Sequence, residues 1–156
     1  MRAHLAGLSL ALAAVVGCGG SSTAPSPAGP LRLTVAPLQT LVGSPSSAQF
    51  SIRLENVSMQ TVALDFPSSC QLMPYVFSRS TGRMVLPTGG GWGCATVITS
   101  LTLGAGESHV QTVTFMVPGP AIDPLFPVPP GDYTMYARLE DTKYKLQSES
   151  VSFSLK

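Results

Sequence analysis

The sequence predicts an all-β protein, a two-sheet antiparallel sandwich of about seven to nine short strands. Three observations predict it. Apolar residues recur at every second position in short runs: Phe50-Ile52-Leu54, Val62-Leu64-Phe66, Val113-Phe115-Val117, Tyr133-Met135-Ala137-Leu139 and Val151-Phe153-Leu155. Turn formers separate the runs, at Gly43-Ser44-Pro45, Glu55-Asn56, Ser80-Thr81-Gly82, Gly104-Ala105-Gly106 and Pro129-Pro130-Gly131. No segment after residue 30 holds a helical period, and 15 glycines with 14 prolines suit a loop-rich β domain.

The chain's 156 residues are enough for one domain with a real core, and no internal repeat or second core is visible. Nine basic and eight acidic residues leave a net charge of +1, with no block of like charge. A nucleic-acid partner needs a basic footprint for phosphate contacts, and this chain has none.

Residues 1–17 read as an export signal. Arg2 gives a short positive region, Leu5 to Val16 is a compact apolar stretch, and small residues follow. The stretch is shorter than the roughly 18 residues of a membrane span. Its end, Val15-Val16-Gly17-Cys18, resembles the lipobox of bacterial lipoproteins. That resemblance implies acylation of the Cys18 thiol, cleavage before it, and attachment to a bacterial membrane with the domain exported. A plain secretory signal with an incidental cysteine is the alternative. Each buried lipid CH₂ contributes about 0.8 kcal/mol, so several acyl chains hold a protein firmly at a membrane surface. After Cys18, the segment GGSSTAPSPAGP to Pro30 has no large apolar residue and reads as a tether reaching roughly 20 Å. Residues 31–156 are then the β-sandwich.

Cys70 and Cys94 are the two cysteines of that domain. In an oxidising exported compartment they form one disulfide that staples the glycine-rich Gly89 to Gly93 loop. Two free thiols or a metal site are the alternatives. A zinc site needs about four ligands, and His109 is the only histidine beyond the signal, so no metal is expected.

Catalysis needs convergent groups, and none converge in the pattern. His109 beside Glu107 reads as a solvated strand-start residue, with no nucleophile elbow elsewhere and no carboxylate spacing for calcium. The chain therefore reads as non-enzymatic and without a cofactor. Two features suggest contact with a partner instead. Trp92 in the stapled loop is either an anchor or core packing. The segment PGPAIDPLFPVPP, residues 118–130, holds six prolines and carries Leu125, Phe126 and Val128. It is either a crossover strapped on the sandwich or a stiff exposed loop that enters a partner's groove at small ordering cost. Asn56-Val57-Ser58 matches a glycosylation sequon by accident of composition.

From Ala48 to Leu139 the order of features resembles the BsuPI family of bacterial proteinase-inhibitor domains. The resembling pieces are Phe50 to Asn56, a strand ending in Asn, then Thr61 to Phe66, and Tyr75-Val76-Phe77 before the turn at Gly82. Leu103-Gly104-Ala105-Gly106-Glu107-Ser108 and Pro130-Gly131-Asp132-Tyr133 through Leu139 complete them. The resemblance implies an immunoglobulin-like sandwich and a serine protease as partner. A cell-envelope module that binds another protein or a glycan, with no protease involved, is the other expectation.

Overall fold

A computed structural model of the protein describes residues 29–41, 46–116 and 128–156. Among them nine strands form, all paired antiparallel. The first sheet runs in the order β1 (Leu31–Leu41), β2 (Ser47–Asn56), β7 (Ser108–Met116). The second runs β5 (Met84–Leu86), β4 (Leu72–Ser78), β8 (Gly131–Leu139), β9 (Val151–Leu155). A separate pair, β3 (Val62–Phe66) and β6 (Thr99–Leu103), completes the set. This is an all-β antiparallel sandwich, as the alternation predicts and as the family resemblance implies in its immunoglobulin-like form. No helix among the described residues is long and apolar enough to cross a membrane.

Alternation turns one face of each strand inward. Ala48, Phe50, Ile52 and Leu54 of β2 meet Tyr133, Met135, Ala137 and Leu139 of β8 in one buried cluster. Its centre is aromatic and joins both sheets: Phe153 lies 5.0 Å from Phe50 and 5.5 Å from Phe115, between ring centroids. Burying each such ring contributes about 1.5–3 kcal/mol. The register between β2 and β7 is unbroken from Ser47↔Met116 to Glu55↔Ser108, which keeps Phe50 and Phe115 on the same side.

Two strands alternate in burial with a weaker sequence signal. β4, LMPYVFS, is apolar on both faces, and β6, TSLTL, is short and half polar. Asn56 is the last residue of β2, the strand end that the resemblance implies, and its side chain builds the turn that its residue type suggests. It is fully buried, and its Nδ2 donates to the carbonyls of Gln60, Leu103 and Gly104 at 2.7–2.9 Å. Its Oδ1 accepts from the Ser58 amide and hydroxyl. Gly106, at φ +73° in the facing turn, donates its N–H to the Asn56 carbonyl. Asn56 thus ties β2 to the β3–β6 pair, and a sugar transferase has no access to its amide. Asp141 makes the matching tie from the other sheet. Its buried carboxylate accepts from the amides of Asp65, Lys143 and Tyr144 at 2.7–2.8 Å. Both of these buried side chains are thereby hydrogen-bonded, which a buried polar group requires to avoid a net cost.

Candidate functional site

The outward face of β4 and β8 is where the pattern departs from a solvated sheet. Leu72, Pro74 and Val76 point into the core, so Met73, Tyr75 and Phe77 are left half-buried on the outside. On β8 the outward set is Thr134, Tyr136 and Arg138. The register pairs Tyr75 with Tyr136 and Met73 with Arg138, which gathers the rings into a row. Tyr75 stacks on Tyr136 at 5.4 Å with planes 16° apart, and Phe77 stacks on Tyr136 at 5.6 Å. The Arg138 guanidinium sits 5.2 Å from the Tyr75 centroid and 5.9 Å from that of Tyr136. Such cation–π geometry holds a guanidinium in place while leaving its edge exposed. The Tyr75 hydroxyl donates to Glu140 Oε1 at 3.1 Å. Burial first, and the Glu140 carboxylate second, raise the Tyr75 pKa above its ordinary 10.0, so the phenol stays protonated and donating.

The disulfide between Cys70 and Cys94 forms as expected, with Cα atoms 5.6 Å apart and 24 residues of separation. In the chain-entropy model a loop of that size contributes about 3.5 kcal/mol. Backbone and hydroxyl bonds between Ser69 and Ala95 reinforce the staple. The consequence is positional: Trp92 is carried to the edge of the row, T-shaped against Tyr75 at 6.4 Å. Beyond Arg138 the surface falls into a half-open cleft of ≈ 340 Å³ lined by Arg138, Leu139, Glu140, Lys145, Leu146 and Gln147. Lys145 is fixed there by donating from Nζ to the Asp141 carbonyl at 2.6 Å.

Of the candidate contact residues named from the sequence that lie among the described residues, Trp92 joins this face and Val128 does not. Trp92 is half-buried, touching both the core and the row, so the two readings of it meet. Val128 is a correction. It is fully buried, held where its amide donates to the Met116 carbonyl at 3.3 Å, so it packs in the core and offers nothing to a partner. Cys18, Leu125 and Phe126 lie outside the described residues. His109 is half-buried on β7 opposite Leu54. No group of three His, Cys, Asp or Glu side chains gathers as a metal site among the described residues.

The two ends of the sandwich differ in what enters them. Pro30, where the chain joins the domain, accepts from the Val57 amide at the Asn56 end. Met116 and Val128, which flank residues 117–127, meet at the opposite end, beside Ser47. The strands between these ends span about 30 Å at 3.3 Å per residue.

Tyr75, Tyr136, Arg138 and Glu140 were not legible as a site from the sequence. The available signal was the uninterrupted apolar run of β4, since a strand half exposed to water has no need of Tyr75 and Phe77 on its second face.

These features define an all-β sandwich domain that presents a half-exposed aromatic face. The chain belongs to the BsuPI family, described as intracellular proteinase inhibitor, whose family model matches residues 38–144. No curated protein matches the chain. Among solved structures it is similar to a β-glucosidase involved in saponin metabolism from intestinal bacteria, at 12% identity and TM-score 0.42, covering 81% of this chain and 16% of that one. A structural-genomics target is similar at 10% identity and TM-score 0.39, over 80% of this chain and 84% of that one. A β-glucosidase from Kluyveromyces marxianus in complex with glucose is similar at 11% identity and TM-score 0.39, over 80% and 14% of the two chains. This chain thus spans a small fraction of the length of either glucosidase.

Proposed function

We propose that the protein is a non-enzymatic proteinase inhibitor, exported and held at a bacterial membrane by acylation of Cys18. Family membership over residues 38–144 carries the inhibitor reading. The lipobox-like Val15 to Cys18 and the tether to Pro30 support the anchor. Pro30, where the tether joins, and the Met116–Val128 pair lie at opposite ends of the sandwich, about 30 Å apart. On this reading Leu125 and Phe126 are the residues that engage a serine protease.

Titration of the purified, disulfide-intact chain against subtilisin-like and trypsin-like serine proteases tests the inhibitor reading. Stoichiometric, saturable inhibition is expected, lost when Leu125 and Phe126 are changed to Gly. Absence of inhibition across the panel, with the domain intact afterwards, contradicts it. For the anchor, the wild-type chain made in a bacterium is expected in the detergent phase of a phase partition and Cys18→Ser in the aqueous phase. Wild-type protein in the aqueous phase contradicts lipidation.

The alternative function, an envelope module that binds another protein or a glycan, draws on a different observation, the aromatic row of β4 and β8.

A further inference from the structure

We infer that the outer face of β4 and β8 is a docking surface for an acidic, aromatic- or aliphatic-bearing peptide segment of a partner protein. This inference goes beyond protease inhibition and does not rest on it.

Composition is the first argument. The outward residues of a sandwich sheet are ordinarily polar. Here, beside the polar Thr134, they are Phe77, Tyr136, Tyr75, Met73 and Arg138, with Trp92 at the edge and Met84 40% exposed beside Phe77. Aromatic residues, Met and Arg are the types enriched where proteins meet, and Trp, Tyr and Arg dominate their binding energy.

Preorganisation is the second. Ring-on-ring stacking through Phe77, Tyr136 and Tyr75 fixes the row before any partner arrives, and the Cys70–Cys94 staple fixes Trp92. Little side-chain freedom is left to lose on binding.

Charge chooses the occupant. Arg138 and Lys145 line the cleft at the end of the row, and the single carboxylate among its lining residues, Glu140, already accepts from the Tyr75 hydroxyl. Ion pairs among the described residues involve Arg32, Arg53 and Glu55, so Arg138 is matched by rings and by no carboxylate. Arg138 is exposed, so the guanidinium N–H groups not turned toward the Tyr75 hydroxyl are open to a partner's carboxylate. The complementary segment places an aromatic or aliphatic side chain on the row and an Asp or Glu against Arg138.

Trp92 is the only tryptophan of the chain, so its fluorescence reports on this face. The test uses the full chain, disulfide oxidised, in a neutral detergent. It is titrated with the acidic peptide acetyl-Asp-Phe-Glu-Leu-Asp-amide, with the charge-inverted acetyl-Lys-Phe-Lys-Leu-Lys-amide, and with cellohexaose as a glycan probe. The expected result is a saturable change in Trp92 emission with the acidic peptide alone, weakened about tenfold or more by Arg138→Glu. Arg138 is exposed, so the variant should unfold at the wild-type temperature; Arg138→Gln, expected to weaken binding less, serves if it does not. Lack of saturation by the acidic peptide, an equal response to the charge-inverted one, or binding that survives Arg138→Glu unchanged overturns the inference. Saturation by cellohexaose instead makes the face a glycan site. A concentration-dependent change in the chain alone, with a dimer's mass, makes its occupant a second copy.

Discussion

The two outer faces of the sandwich handle their charges in opposite ways. On the β1–β2–β7 side, Arg32 faces Glu55 across the strands and donates to it at 2.8 Å, with Arg53 3.9 Å away from the same carboxylate. On the β4–β8 side, exposed Arg138 lies on two tyrosine rings and forms no ion pair with a carboxylate of the described residues. On the first face the Glu55 carboxylate is already matched by two arginines of the same sheet. The second keeps a fixed cation beside a fixed row of rings, which costs the domain little and is useful only to something that docks. The difference teaches that the two sheets share a core but not a role.

Breaking the shared core should cost most, whichever face is studied. Phe50 touches rings of both sheets, so Phe50→Ala is expected to lower the unfolding free energy by about 3–5 kcal/mol, read from urea midpoints. Next comes the tie at the end of the sandwich. Asn56→Ala strands the carbonyls of Leu103 and Gly104 and is expected to cost about 2–3 kcal/mol by the same measurement. A loss below about 0.5 kcal/mol would mean that water replaces the side chain freely.

The smallest effect separates the faces by pH. The hydrogen bond from Arg32, before any other cause, holds the Glu55 carboxyl below its ordinary 4.5. A depressed carboxylate binds fewer protons folded than unfolded, so its contribution is present above pH 4.5 and is lost as pH falls through the lower folded value. The pair is exposed, and the effect is small. In Arg32→Ala the acid side of the stability–pH curve should flatten slightly. A curve identical to wild type would show that the ion pair does nothing in solution. Arg138→Ala should leave this limb of the curve untouched.

The inner faces were legible in the sequence because period-two alternation is a local signal: Phe50, Ile52 and Leu54 announce their side within a few residues. The disulfide was legible from compartment and cysteine number. The aromatic face was not, because it is created by register. Tyr75 meets Tyr136 only once β4 and β8 pair, and no local pattern states that pairing. Val128 was misread for a related reason: its place in the core follows from a single backbone bond to Met116, which a proline count does not reveal. Asn56 looked like a turn former by type, and its buried amide network emerged only when β3 and β6 were in place.

Neighbouring residues on opposite faces of β8 offer the most direct test. Met135 is fully buried and Tyr136 belongs to the outer row. We would measure urea unfolding of Met135→Ala and Tyr136→Ser side by side. The account expects a loss of about 2–5 kcal/mol for Met135→Ala and about 1 kcal/mol or less for Tyr136→Ser. Equal losses would contradict it, because the outer row would then be a second core that stabilises the fold and is not a surface kept for a partner.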